Sequence, residues 1–370
     1  MMNILYGVPG EGLGHATRSK VVIGHLLARG HEVRVVSSSR AYVMLAAAFP
    51  GRVHEIRGFH LAYNGLAVSK LRTAVLTLRT APDDLRINFA RYRELLGNFA
   101  PDLVISDFES FSYLFAKVRR LPVISIDNMQ IISRAKLNVA VPGAERGNYN
   151  LAKSIVRAKL PRSRHYFVTT FFDLPLTRAN TTLVPPIIRP EIVAVRPTRG
   201  PHVLVYQSAT TQQNLVPLLQ QLPDQEFRVY GFNKQENHGN VQLCTFSEAG
   251  FIADLASCRA VVTNGGFSLI SEAVFLHKPV CAVPIPAQFE QWLNAAEVEK
   301  TGYGRHFAAI TVDNLRAFLS GLATFETALA GYRQQGNDVL FAVLDQLLKE
   351  IGTEYLPGEA APQAASWGGE

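Results

Sequence analysis

The stretch Val261–Gly304, VVTNGGFSLISEAVFLHKPVCAVPIPAQFEQWLNAAEVEKTGYG, constrains the fold more tightly than any other part of the chain. Ala260-Val261-Val262 is a short apolar run of the kind that forms a buried strand. Asn264-Gly265-Gly266 breaks it, and Ser268 to Leu276 resumes with apolar residues at helical spacing. A second apolar strand, Pro279 to Pro284, leads through a polar loop, Gln288-Phe289-Glu290-Gln291, into another helix. Such an alternation belongs to an open parallel α/β sheet. Both loops then fall at the carboxyl ends of strands, where these folds bind ligands.

The chemistry of the two loops points to a nucleotide sugar. Adjacent glycines bring bare backbone N–H groups to a helix N-terminus, opened here by Phe267 and Ser268, and this suits a diphosphate. Glu272, on the first turns of that helix, offers a carboxylate to two ribose hydroxyls. Gln288, Glu290 and Gln291 offer acceptors and donors to sugar hydroxyls. One Gly-Gly step alone would signify no more than a capped helix; the two loops together carry the reading.

Near the N-terminus, Asn3 to Val8 reads as a strand, followed by the loop Pro9-Gly10-Glu11-Gly12-Leu13-Gly14-His15 and a helix through Val22, Leu26 and Leu27. A P-loop would need Gly-Lys followed by Ser or Thr, which is lacking. A dinucleotide site expects an acidic residue at the end of the second strand, where Ser37-Ser38-Ser39-Arg40 stands, and Arg40 leaves only an NADP-type variant open. His15 at a helix N-terminus is disfavoured as imidazolium by the helix dipole, so a neutral, proton-accepting ring is plausible. Pro101 to Glu109 reads as a buried strand ending in Asp107, and Leu121 to Asn128 as another, ending in the rival carboxylate Asp127.

The stretch 261–304 resembles the donor-binding signature of GT-B glycosyltransferases, the group that contains MurG and the UDP-glycosyltransferases. It is most similar to an under-characterised microbial glycosyltransferase-like branch. The matching residues are Gly265-Gly266, Ser271, Glu272-Ala273, Lys278-Pro279, Glu290-Gln291 and Asn294-Ala295; His277 departs from a common glycine. The resemblance implies two Rossmann-like domains facing across a cleft. The acceptor-binding domain would span 1–185, a proline-rich linker 186–201, the donor-binding domain 202–351 and a disordered tail 352–370, with the last helix able to cross back. It implies His15 as catalytic base, oriented by Asp107. Gly14, Ser208, Phe246 (near the base), Gly265, Gly266, Phe267, Ser268, Glu272, Gln288, Glu290 and Gln291 would bind the donor. The implied reaction moves a sugar from a UDP- or dTDP-sugar to an acceptor hydroxyl, inverting, with no metal and no cofactor. A sugar-nucleotide 2-epimerase and a non-catalytic module that binds anionic membrane or nucleic acid are the rival readings.

Length and charge bound these options. A chain of 370 residues, 48% hydrophobic, exceeds what one core usually holds. Residues 1–165 carry 24 Lys and Arg against 11 Asp and Glu, whereas the rest carries an acidic excess. The basic half suits a lipid-linked or anionic acceptor and peripheral membrane contact; the acidic half makes nucleic acid an unlikely partner. Cys244, Cys258 and Cys281 lack metal-ligand spacing and read as buried thiols. With no apolar run of membrane length and no signal peptide, a cytoplasmic location is expected, at most peripheral to the inner membrane face.

Overall fold

The computed structural model describes residues 1–10, 12–57, 63–64, 67–68, 97, 99–207 and 214–354. Two seven-stranded sheets carry it. The first runs β3 (Val53–Glu55), β2 (Glu32–Ser37), β1 (Asn3–Gly7), β6 (Leu103–Ser106), β7 (Val123–Asp127), β8 (His165–Thr169), β9 (Thr181–Val184), all parallel. A two-stranded ribbon, β4 (Tyr63–Asn64) and β5 (Ala67–Val68), lies outside it. The second sheet runs β12 (Glu236–His238), β13 (Val241–Leu243), β11 (Glu226–Tyr230), β10 (His202–Tyr206), β14 (Ala260–Thr263), β15 (Val280–Ala282), β16 (Gly304–His306). Only β12 is antiparallel, at the edge.

The near-continuous Val, Ile and Leu content of the central strands explains this architecture, because a parallel sheet covered by helices on both faces buries every side chain. In β6 and β14 all four residues are buried. Each sheet reverses direction of growth once, between β1 and β6 and between β10 and β14. Ligands bind beyond the carboxyl ends of strands at such switch points. The loops carrying His15, Asp107 and Gly265 all leave these four strands.

The carboxyl-terminal helix Asp338–Glu354 packs on the first sheet. Leu340, Leu344, Leu348 and Ile351, spaced to share one face, join Ile4, Tyr6 and Leu26 in one core. His25 stacks on Phe341 at 3.9 Å and bonds Asp345 at 2.9 Å. Beyond Thr311 three helices follow among the described residues: Val312–Ser320, Leu322–Leu329 and Asp338–Glu354. Gly321 separates the first pair. The linker contains one helical turn. Pro190 starts the short helix Pro190–Ala194, a position where its missing N–H costs nothing.

The departure at His277 resolves simply. The helix Phe267–Phe275 ends with His277 in the left-handed conformation, φ 57°. Lys278 N–H donates to the Ala273 carbonyl at 2.8 Å and His277 N–H to that of Val274 at 3.0 Å, a Schellman closure. A non-glycine residue pays about 1–2 kcal/mol for that conformation, and glycine gives back about 0.4–1 kcal/mol in unfolded-state entropy. His277→Gly is therefore expected to raise the unfolding free energy by about 0.5–1 kcal/mol, measured by urea titration.

Candidate active site

The helix Leu13–Ala28 begins at the carboxyl end of β1, and the next turn of chain after β6 brings Asp107 beside it. His15 Nδ1 lies 3.0 Å from Asp107 Oδ1. Asp107 is fully buried and also accepts from Arg18 Nε at 2.7 Å, from Arg18 Nη2, and from Ser19 Oγ at 3.1 Å. Burial alone would push its carboxyl up; the Arg18 guanidinium and the His15 ring outweigh that and hold it well below the usual carboxylate range. Burial works against the charge of Arg18 too, and Asp107 outweighs it and holds the guanidinium charged.

The His15 ring has two arrangements here. With its proton on Nδ1 it donates to Asp107, and Nε2 is free to accept. With the proton on Nε2, Nδ1 accepts from Arg18 Nη2, 2.7 Å away. Asp127 takes no part in this cluster through hydrogen bonds. It accepts from Ser125 Oγ at 2.5 Å and from Gln130 N–H at 2.9 Å, and burial pushes its carboxyl up to about 6. A carboxyl raised in the folded state stabilises the protein while protonated. That contribution is complete below the unfolded value near 4 and is lost as pH rises through about 6. Asp127→Asn should therefore remove on the order of 3 kcal/mol from the decline in stability between about pH 4 and pH 8, read from denaturation at a series of pH values.

Across the cleft, Gly265 follows β14 with φ 90°, a conformation that favours glycine, and a Cβ there would lie 2.8 Å from the Gln291 carbonyl oxygen. Asn294 Nδ2 donates to the Gly265 carbonyl at 3.0 Å, fixing the glycine loop to the helix Phe289–Lys300. Gly266 precedes the helix Phe267–Phe275, and among the described residues no atom beyond its chain neighbours lies within 4 Å of where its Cβ would stand. Ser268 approaches the other sheet's loop: a Cβ on Gly14 would meet Ser268 Oγ at 2.6 Å. Two helix N-termini, those of Leu13–Ala28 and Phe267–Phe275, thus meet at the cleft. Phe267 is buried against Phe171, ring centroids 6.1 Å apart.

The polar loop divides its residues. Glu290 Oε1 accepts from Asn128 Nδ2 at 2.6 Å, and Asn128 Oδ1 accepts from Arg18 Nη1 at 2.6 Å. A hydrogen-bonded chain therefore runs from His15 and Asp107 through Arg18 and Asn128 to Glu290 on the other side. Gln291 Oε1 accepts from Ile285 N–H at 2.9 Å, bracing the loop. Gln288 is the N-cap residue of its helix without capping it through its side chain. Glu272 is buried, and the linker's Arg189 grips both its oxygens at 2.7 and 2.8 Å while reaching Glu248 at 3.0 Å. Burial raises the Glu272 carboxyl despite that partner. Phe246 is 51% exposed beside Phe251, which also meets Tyr206. Ser208 lies outside the described residues.

The structure thus brings His15, Asp107, Gly14, Ser268 and Glu290 into one cluster, while Glu272 pairs with Arg189 and Phe246 packs beside Phe251. Sequence reading missed Arg18, Asn128 and Arg189. Arg18 alone carried a signal, since it sits one turn after His15 and so shares its helix face.

Comparisons with known proteins bear on the family and the fold. Residues 2–323 match the profile of glycosyl transferase family 1. A protein of Methanosarcina acetivorans named as an uncharacterized glycosyltransferase is 25% identical over 338 residues, covering 82% of this chain and 85% of the relative. A protein of Rhodospirillum centenum named as UDP-N-acetylglucosamine--N-acetylmuramyl-(pentapeptide) pyrophosphoryl-undecaprenol N-acetylglucosamine transferase is 26% identical over 362 residues, covering 89% and 88%. The solved calicheamicin glycosyltransferase CalG4 superposes with TM-score 0.64 at 16% identity, over 96% of this chain and all of that one. The spinosyn rhamnosyltransferase SpnG, solved with thymidine diphosphate, superposes with TM-score 0.63 at 15% identity, over 94% of this chain and all of that one. The fold is GT-B, and the chain belongs to glycosyl transferase family 1 and is a glycosyltransferase.

Proposed function

We propose that the enzyme moves a sugar from a nucleoside diphosphate sugar, UDP- or dTDP-linked, to an acceptor hydroxyl held by the first domain, with inversion and without a metal ion. The observation that carries this reading is the approach of Gly14, next to the His15–Asp107 pair, to Ser268 in the first turn of the helix that follows Gly265-Gly266. In the Nδ1–H tautomer, His15 Nε2 takes the acceptor proton as the oxygen attacks the anomeric carbon. Asp107 holds the ring and stabilises the imidazolium that results. The leaving diphosphate gathers negative charge, and the N-terminus of Phe267–Phe275, with Gly265 and Gly266, answers it with N–H groups and dipole. That of Leu13–Ala28 at Gly14 adds to the same potential. Glu290, with Gln288 and Gln291, addresses the donor sugar; Glu272 takes the ribose through the lone pairs that Arg189 leaves open; Ser208 and Phe246 complete the diphosphate and base contacts.

The acceptor is lipid-linked or anionic in this reading, and the enzyme works in the cytoplasm against a membrane surface. No described helix is long and apolar enough to cross a membrane. The helix Arg146–Lys159 exposes Leu151 and Ile155 between Arg146 and Arg157, a pattern suited to an anionic lipid surface. The test is chromatographic detection of nucleoside diphosphate released from UDP- and dTDP-sugars in the presence of lipid and soluble acceptor pools. Release that is acceptor-dependent and vanishes in His15→Gln supports the reading; release unaffected by that change refutes it.

A further inference from the structure

Between the loop after β8 and the carboxyl end of the Phe289–Lys300 helix lies a cavity of about 500 Å³, within the size range of small-molecule sites. It shares no lining residue with the His15–Asp107–Glu290 cluster. Its polar interior group is Glu297, 1% exposed, whose Oε1 has no hydrogen-bond partner among the described residues. Buried polar groups in native proteins are almost always satisfied, so an orphaned one marks an absent partner. The Lys300 charge acts on this carboxyl, but among the described residues the neighbouring cations donate their hydrogen bonds to backbone carbonyls. Lys300 Nζ donates to the Asn138 carbonyl at 2.7 Å, and Arg333 donates to the carbonyls of Ala330 and Tyr332.

Four aromatic residues share the cavity lining with this carboxyl. Phe171 and Phe172 meet edge-to-face at 4.9 Å, and Tyr303 and Tyr332 at 5.9 Å, and all four line the cavity. An anion would meet a buried carboxyl. A hydroxyl would satisfy Oε1 but gain little from the rings. An ammonium group gains from both, donating to the carboxylate while its charge rests against ring faces.

We propose that this cavity is a second ligand site, taking a small molecule with an ammonium group on an aromatic or alicyclic body. The site is independent of the sugar-transfer reading. It is nevertheless mechanically close: Glu297 sits two turns after Glu290 on one helix, and Phe171 packs on Phe267 beside the glycine loop. Asp173 at the mouth offsets the positive charge that Lys300 and Arg333 bring there.

The test is ligand-observed NMR titration of the full chain with benzylammonium and with benzyl alcohol, which keeps the ring and drops the charge. It is run near pH 8, above the value of about 7 to which burial pushes Glu297. Benzylammonium should bind saturably and at least about tenfold more tightly than benzyl alcohol. Glu297→Gln should abolish that preference with the melting temperature kept, and Tyr332→Leu should weaken benzylammonium binding severalfold. Equal affinity of the two probes, an undiminished preference in Glu297→Gln, or wild-type binding weaker than about 10 mM would overturn the proposal.

Discussion

His15→Gln should leave the melting temperature within error of the wild type and lower kcat by about 100- to 10,000-fold. The ring is partly exposed, and its loss orphans no charge, because Asp107 keeps both bonds to Arg18 and the bond from Ser19. The proposed donor site lies on the other side of the cleft, so the apparent donor affinity should stay within about twofold. Stopped assays at saturating donor, beside a thermal melt, separate these quantities. A kcat loss accompanied by an equal rise in donor KM would place His15 in donor binding instead.

Asp107→Ala should cost more than activity. Arg18 is buried, and removing its partner leaves an uncompensated guanidinium, worth about 3–5 kcal/mol of stability. The double variant Asp107→Ala with Arg18→Met should recover most of that loss while remaining inactive, since the charge and its partner leave together. Acid titration supplies a sign check. A carboxyl held low in the folded state stabilises above its unfolded value and loses that contribution only as pH falls through the lower folded one. Wild type should thus lose stability in acid that Asp107→Ala has already lost at neutral pH. Denaturant midpoints across that range measure both.

What the sequence disclosed follows from what is local. Apolar runs separated by glycine turns mark strands and helix starts, so both sheets and the loops at 12–15 and 264–266 were legible. The pairing of His15 with Asp107 came from resemblance, and the structure sets them 3.0 Å apart. What stayed hidden depends on residues distant along the chain. Arg18 to Asn128 spans 110 positions, Asn128 to Glu290 spans 162, and Arg189 to Glu272 spans 83. No local periodicity encodes such contacts. Arg189 was obscured further by its neighbours, because the prolines around it suggested an extended linker where a helical turn docks it onto Glu272. Glu297 was unreadable for the same reason, since Phe171 and Phe172, which share its cavity, lie far from it along the chain.

The most direct measurement is calorimetric titration of UDP- and dTDP-sugars into wild type and Gly266→Leu. Gly266 has φ −63°, which any residue adopts, and among the described residues no atom stands near its Cβ, so the leucine fills the space proposed for the diphosphate. The expected result is saturable binding of one donor class to wild type, with a Kd of about 1–100 μM, and none to a Gly266→Leu protein that melts normally. Wild type that binds no nucleoside diphosphate sugar, or a Gly266→Leu variant that binds as well as wild type, would contradict it.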